Sequence, residues 1–216
     1  KDSVNGVLLT NDQKKQRSVL IARVKEKGFK EVIEETAYTW FNRFIALRYM
    51  EVNSLLPSMV RVFTDDSNNF KPQILDEAIH LEFDGLDKDK IYELKDKSDD
   101  EELYKYLLIA QCNALNNELP KMFDRLEDYM ELLFPDNLLR EGSVVEQMVS
   151  TIPEEDWQDQ VQIIGWMYQY WNIEPKDAVF AGLQMNLISF KELSKANKEM
   201  IRKLKETYTW LNIPSH

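Results

Sequence analysis

Apolar residues recur at three- and four-residue intervals along most of the chain, and this rhythm predicts helices. Residues 12–27 place Val19, Leu20, Ala22 and Val24 on a basic amphipathic helix that ends near Gly28. A second helix is predicted from about Phe29 to Leu55, stopped by Pro57. Residues 57–72 break the rhythm. Val60-Arg61-Val62-Phe63 alternates in strand fashion and allows a short β excursion near residues 60–64, and Ser67-Asn68-Asn69 with Pro72 marks a turn. The stretch ILDEAIHLEF then reads as a short helix followed by the loop DGLDKDK. From about Asp99 to Asn117, Leu103, Tyr106, Leu107, Ala110 and Ala114 form one apolar stripe. Pro120 opens a short helix through Leu133, and Ser143 with Glu146 makes a capping-box pattern. Pro153, with three acids behind it, opens a helix to about Asn172 that carries Trp157, Val161, Ile164, Tyr168 and Trp171. Gly165 adjoins this seam, which suits close approach of another backbone. After Pro175 come a helical piece near Ala178 to Leu183 and a lysine-rich amphipathic helix from about Phe190 to Trp210. The fold class is mostly α, a single irregular multi-helix bundle over residues 1–186 with a basic C-terminal helix at 187–216.

Composition agrees with that class. The 216 residues are 44% hydrophobic, enough for one sizeable core, and hold only 6 Gly and 7 Pro. One cysteine, Cys112, excludes an internal disulfide, fits a reducing cytoplasm and reads as a small buried apolar residue. No apolar run approaches the roughly 18 residues of a membrane span, and the charged N-terminus lacks a signal-peptide core. The chain opens on Lys, as an excised piece of a longer protein would. Its net charge of -11 is concentrated in the middle: residues 76–102 hold twelve acids against four lysines, whereas the first thirty residues hold eight Lys/Arg against three acids. Residues 186–216 are also basic, six against three. An acidic chain of this kind is a poor autonomous DNA binder, because phosphate neutralisation supplies most non-specific affinity.

The second helix poses a specific problem. At 100° per residue, Trp40, Phe41, Phe44, Ile45, Leu47, Val52 and Leu55 span one broad face, and Arg48 falls within it. Glu51 lies one turn further along the same face. Arg43 projects to the other side, which also carries Tyr38, Tyr49 and Met50, so this helix is expected to have neighbours on more than one side. A guanidinium inside an apolar arc must be paired or reach solvent. Arg48 either ties the bundle through Glu51 or another carboxylate, or emerges to meet a partner domain or a phosphate. Arg43, Arg48, Glu51 and Arg140 are the candidate partner or salt-bridge residues.

Other chemistry is weakly supported. Glu77 and His80 form one Glu-x-x-His, but a di-iron bundle needs a second copy and the chain has only one other histidine, the terminal His216. The run Asp99-Asp100-Glu101-Glu102 resembles a magnesium-binding cluster, yet it sits where acids favour a helix N-terminus. Glycine-rich phosphate loops, Gly-x-Ser-x-Gly and any Asn/Asp-Pro-Pro-aromatic tetrapeptide are absent. No catalytic, cofactor or metal residue is assigned.

Four extended stretches, AYTWFNRFIALRYMEVNSLLPS, DDEELYKYLLIAQCNALNNELPKMF, LLFPDNLLREGSVVEQMV and IPEEDWQDQVQIIGWMYQYW, carry a family resemblance. Together, over roughly Glu35 to Asn186, they resemble the N-terminal helical region of PglX-type adenine-specific DNA methyltransferases of bacteriophage-exclusion systems. The resemblance implies phage defence and DNA modification, with a whole enzyme that uses S-adenosylmethionine to methylate adenine N6. It also implies a helical region that precedes the catalytic domain, whose Asn-Pro-Pro-Tyr motif and methyl-donor pocket lie downstream. After AVFAGLQMN the family continues toward that domain, whereas this chain has LISFKELSKANKEMIRKLKETYTWLNIPSH. The expected role is a non-catalytic, cytoplasmic helical module, with no cofactor in this chain, that packs on a methyltransferase domain or other defence-system proteins. DNA is contacted only in the full assembly and no membrane is involved. A stand-alone protein-interaction module and an all-helical metal-dependent enzyme using the acids around Asp99 are the alternatives.

Overall fold

In the computed structural model, residues 3–4, 7–120, 122–123, 128–159 and 162 are described. The chain starts with strands β1 (Ser3–Val4) and β2 (Val7–Leu8), paired antiparallel with Ser3 opposite Leu8 and Val4 opposite Val7. Asn5-Gly6 between Val4 and Val7-Leu8 is a two-residue hairpin signal that helical periodicity does not show.

Helix α1 (Asn11–Lys27) is capped by Thr10, whose hydroxyl accepts from the Gln13 N–H while the Gln13 side chain accepts from the Thr10 N–H. It ends at Gly28, which has φ 90° and ψ 153° and also begins α2 (Phe29–Val52). A side chain would be strained at that φ, so glycine permits the one-residue corner between two long helices.

Helix α2 runs through the core of the described residues. Residues 43–51 are buried without a break, so the apolar arc predicted for one face continues into burial all round. Trp40 packs edge-on to Phe134 with ring centroids 4.5 Å apart, and its Nε1 donates to the Met130 carbonyl at 3.0 Å. Phe44 meets Phe63 and Phe134, each at 6.0 Å. Helix α1 packs on α2 and on α6 (Asp128–Leu132). The short α3 (Gln73–Asp76) and α4 (Lys88–Asp96) both pack on α5 (Asp100–Leu115), and α7 (Val144–Thr151) follows.

The mostly α class holds, with several local departures. The segment 60–64 is neither helix nor strand. Helix α4 occupies part of what reads as a loop, with Asp87 as its N-cap and Ile91 as its buried residue. On α5 the buried side chains include Tyr104, Leu108 and Cys112, while Tyr106 and Ala114 lie half-buried at the edge of the stripe. Ser143 caps α7 by accepting from Glu146, but the Glu146 carboxylate accepts from the Gly142 N–H, one residue short of a reciprocal box. After Pro153 there is a 3-10 turn, η1 (Glu154–Asp156), and Trp157 is fully buried. The rest of the helix predicted to Asn172, the pieces near 178–183 and 190–210, Gly165, His216 and the boundary at 186 lie outside the described residues. Among the described residues, no helix is long and apolar enough to cross a membrane.

Candidate functional site

The last turn of α2 carries a buried polar cluster. Arg48 is completely buried and donates from Nη1 to Glu51 Oε1 and to Thr64 Oγ1 at 3.2 Å. Its Nη2 donates to Asn68 Oδ1 at 2.5 Å and lies 3.6 Å from Glu154 Oε2. Glu51 faces the opposite way with its other oxygen, Oε2, which accepts the backbone N–H groups of Val62 at 2.5 Å and Phe63 at 2.6 Å. The Thr64 hydroxyl donates to Glu51 Oε1 at 2.7 Å. The Val62 carbonyl accepts from the Tyr104 hydroxyl at 2.8 Å. Both polar groups of Val62 are therefore taken by side chains, which is why 60–64 does not need a strand partner.

Arg61 completes the cluster, donating to both Glu154 oxygens at 3.0 and 3.2 Å and to Thr64 at 3.0 Å. Two arginines and two glutamates balance each other. Burial pulls the Arg48 guanidinium below its ordinary value, opposed by Glu51 and then Glu154. The hydrogen bond to Glu154 raises Arg61, and the same bond holds the Glu154 carboxyl below its usual range. Burial, and then the charges of Glu51 and Glu101, push Tyr104 well above its ordinary value, so it serves here as a neutral hydroxyl donor.

The same device recurs twice. Glu101 of α5 accepts the N–H groups of Leu138 and Leu139, both at 3.1 Å, and burial raises its carboxyl despite those bonds. Asn53, just past α2, donates to the Trp157 carbonyl at 3.0 Å and accepts from the Asp159 N–H at 2.8 Å. Irregular segments are thus held by side chains from helices or their caps.

Of the four residues singled out from sequence, Arg48 and Glu51 meet in this cluster. Arg43 lies on the other side of α2 as its helical phase requires, and it too is buried, 5.6 Å from the Trp40 ring centre. It faces Cys112, whose thiol burial pushes up to about 12 against the pull of that guanidinium. A thiol so placed is a packing group, not a nucleophile. Arg140 is exposed, and its charge reaches Glu101. Sequence reasoning missed Thr64, Asn68, Arg61 and Glu154.

The metal readings find no supporting geometry. Glu77 is the C-cap of α3 and His80 follows in an exposed turn, so the two do not share a helix face. Asp99 caps α5 by accepting from the Glu102 N–H. No group of three or more His, Cys, Asp or Glu is arranged to hold an ion among the described residues. A cavity of about 710 Å³ between α1, α5 and α6 is lined by Lys15, Lys90, Lys105, Glu102 and Glu131, with no single sign of charge.

No protein-family model matches the chain. It is 40% identical over 195 residues to the adenine-specific methyltransferase PglX of Lacticaseibacillus casei (strain Zhang), covering 81% of this chain and 16% of that protein. It is 41% identical over 167 residues to the adenine-specific methyltransferase BrxX of Escherichia coli O9:H4 (strain HS), covering 76% of this chain and 14% of that protein. The chain is a relative of adenine-specific methyltransferases. It spans about a sixth or less of the length of these curated relatives. The matched share takes in most of the chain, so the methyltransferase likeness extends well beyond the last turn of α2 and its cluster.

Proposed function

We propose that this chain is a non-catalytic helical module of a bacterial DNA-modification and phage-defence system, which packs on a methyltransferase domain or partner protein close to DNA. One observation carries the reading: some 40% identity to two adenine-specific methyltransferases runs over most of a chain whose 216 residues contain no Asn/Asp-Pro-Pro-aromatic tetrapeptide and no glycine-rich donor loop. The arginines support it from the other side. Arg43, Arg48 and Arg61 all lie within the bundle or against its own carboxylates or rings, as scaffold groups do. S-adenosylmethionine belongs, in this reading, to the methyltransferase domain. A transmethylase acting alone would need a pocket for the donor sulfonium and donors to the flipped adenine edge, and no residue of this chain is assigned to either.

Titration calorimetry with S-adenosylmethionine, paired with an adenine-methylation assay on duplex DNA, tests the proposal. The chain alone is expected to show neither saturable heat nor methyl transfer. A saturable donor complex would overturn the non-catalytic reading.

A further inference from the structure

The geometry points to a strap: residues 153–159, fastened at the end of α2, open and close as a unit while the bundle beneath them stays folded. The device is independent of the module reading above. Within 153–159 only Trp157 is buried, and side chains fasten the segment at two points. Glu154 accepts from Arg61 Nη2 at 3.0 Å and Nη1 at 3.2 Å, and lies 3.6 Å from Arg48 Nη2. Asn53 donates to the Trp157 carbonyl at 3.0 Å and accepts from the Asp159 N–H at 2.8 Å.

Each anchor on the bundle side also has a partner inside the bundle. Asn53 Nδ2 donates to the Tyr49 carbonyl at 2.8 Å. Arg48 has Glu51, Thr64 and Asn68, and Arg61 Nη1 has Thr64 at 3.0 Å. Release of the strap therefore leaves no buried charge without its counter-charge, which is what makes breaking a buried ion pair costly. The Glu154 side chain is already 30% exposed, so water replaces Arg61 as the carboxylate leaves. Trp157 Nε1 is buried with no hydrogen-bond partner among the described residues, and opening gives it one in water. What then opposes opening is the burial of a single indole ring. The 60–64 segment is held differently. Glu51 is buried and accepts the Val62 and Phe63 N–H groups, so lifting that segment would strip a buried carboxylate of its donors. Of the two segments that meet at the end of α2, the strap is the one built to open alone.

Native-state hydrogen exchange followed by NMR on the 216-residue chain, over a series of low urea concentrations, tests the strap. The probes are the Asp156 and Trp157 amides, which donate to the Pro153 and Glu154 carbonyls within the turn. Buried Ala46 and Leu47 of α2 are the references. The strap amides are expected to exchange about a hundredfold faster than the references, at a rate nearly independent of urea, because a local opening exposes little surface. Glu154→Gln and Asn53→Ala each weaken one fastening and leave the probed hydrogen bonds in place. Either is expected to speed strap exchange about tenfold. Strap amides that exchange at the α2 rate, or with the α2 dependence on urea, would overturn the inference. Strap rates that neither substitution changes would overturn it as well.

Discussion

At Arg48 the cost of burying a guanidinium is offset by a carboxylate one turn away, on the same face of the same helix. Removing the cation would leave Glu51 buried with three donors, the Val62 and Phe63 N–H groups and the Thr64 hydroxyl, but with no charge within the ion pair to balance it. Arg48→Met is therefore expected to destabilise the fold by about 3 kcal/mol, the lower end for breaking a buried pair, because those donors remain. Urea unfolding measures this, and an unchanged midpoint would show that the pair contributes nothing to the fold. The i, i+3 spacing of Arg48 and Glu51 can be read directly from the sequence. Their other partners cannot: Thr64 is 16 residues away and Glu154 lies beyond a hundred, brought in by loop backbone that has no period to detect. Arg43 shows the same limit, since helical phase gives its direction and only the packing of α5 shows that this direction is buried.

Among the elements, α1, α2 and α5 are legible from their period and α3 and the Ser143 cap of α7 from local signals, whereas α4 is not. Helix α4 has one buried residue, Ile91, over nine positions, too few to establish a period, and its clearest signal is the Asp87 cap. The alternation in Val60-Arg61-Val62-Phe63 allows a short β excursion, but the Val62 and Phe63 N–H groups go to Glu51 and the Val62 carbonyl to Tyr104, not to a neighbouring strand. The 3-10 turn η1 is fastened to α2 and to the 60–64 segment through Glu154, and that fastening is titratable. The Arg61 hydrogen bond is the largest influence depressing the Glu154 carboxyl. Because its folded value is below the unfolded one, its contribution is complete above about pH 4.3 and is lost as pH falls through the folded value. Glu101 runs the opposite way: burial raises its carboxyl, so its ionisation costs stability at neutral pH and its protonation recovers some. Glu154→Gln is expected to lower the melting temperature at pH 7 and to lessen the fall between neutral and acid pH. A variant with the same acid-side fall as the parent would show that the 3-10 turn is not held by this charge.

For the whole molecule, the disposition of charge bears directly on whether the bundle can meet DNA unaided. The net charge is -11, and residues 76–102 alone contribute twelve acids against four lysines. Arg48 and Arg43 are buried, while Arg61 is engaged on both oxygens of Glu154. Two of the four lysines on the acidic side are likewise paired, Lys88 with Glu82 at 3.1 Å and Lys97 with Glu93 at 2.6 Å. Cationic side chains that neutralise phosphates gain free energy by releasing the counterions condensed on DNA into solution, and cations already paired contribute little to that release. In fluorescence anisotropy with a short duplex at physiological salt, the chain alone is accordingly expected to bind no more tightly than about 10⁻⁴ M, the weak end of non-specific association. Joined to a methyltransferase domain, the assembly should bind more tightly and weaken steeply with salt, with the slope set by cations that the domain supplies. Micromolar, salt-dependent binding by the chain alone would relocate the DNA contact to the bundle itself, where the basic first thirty residues would be the first place to look.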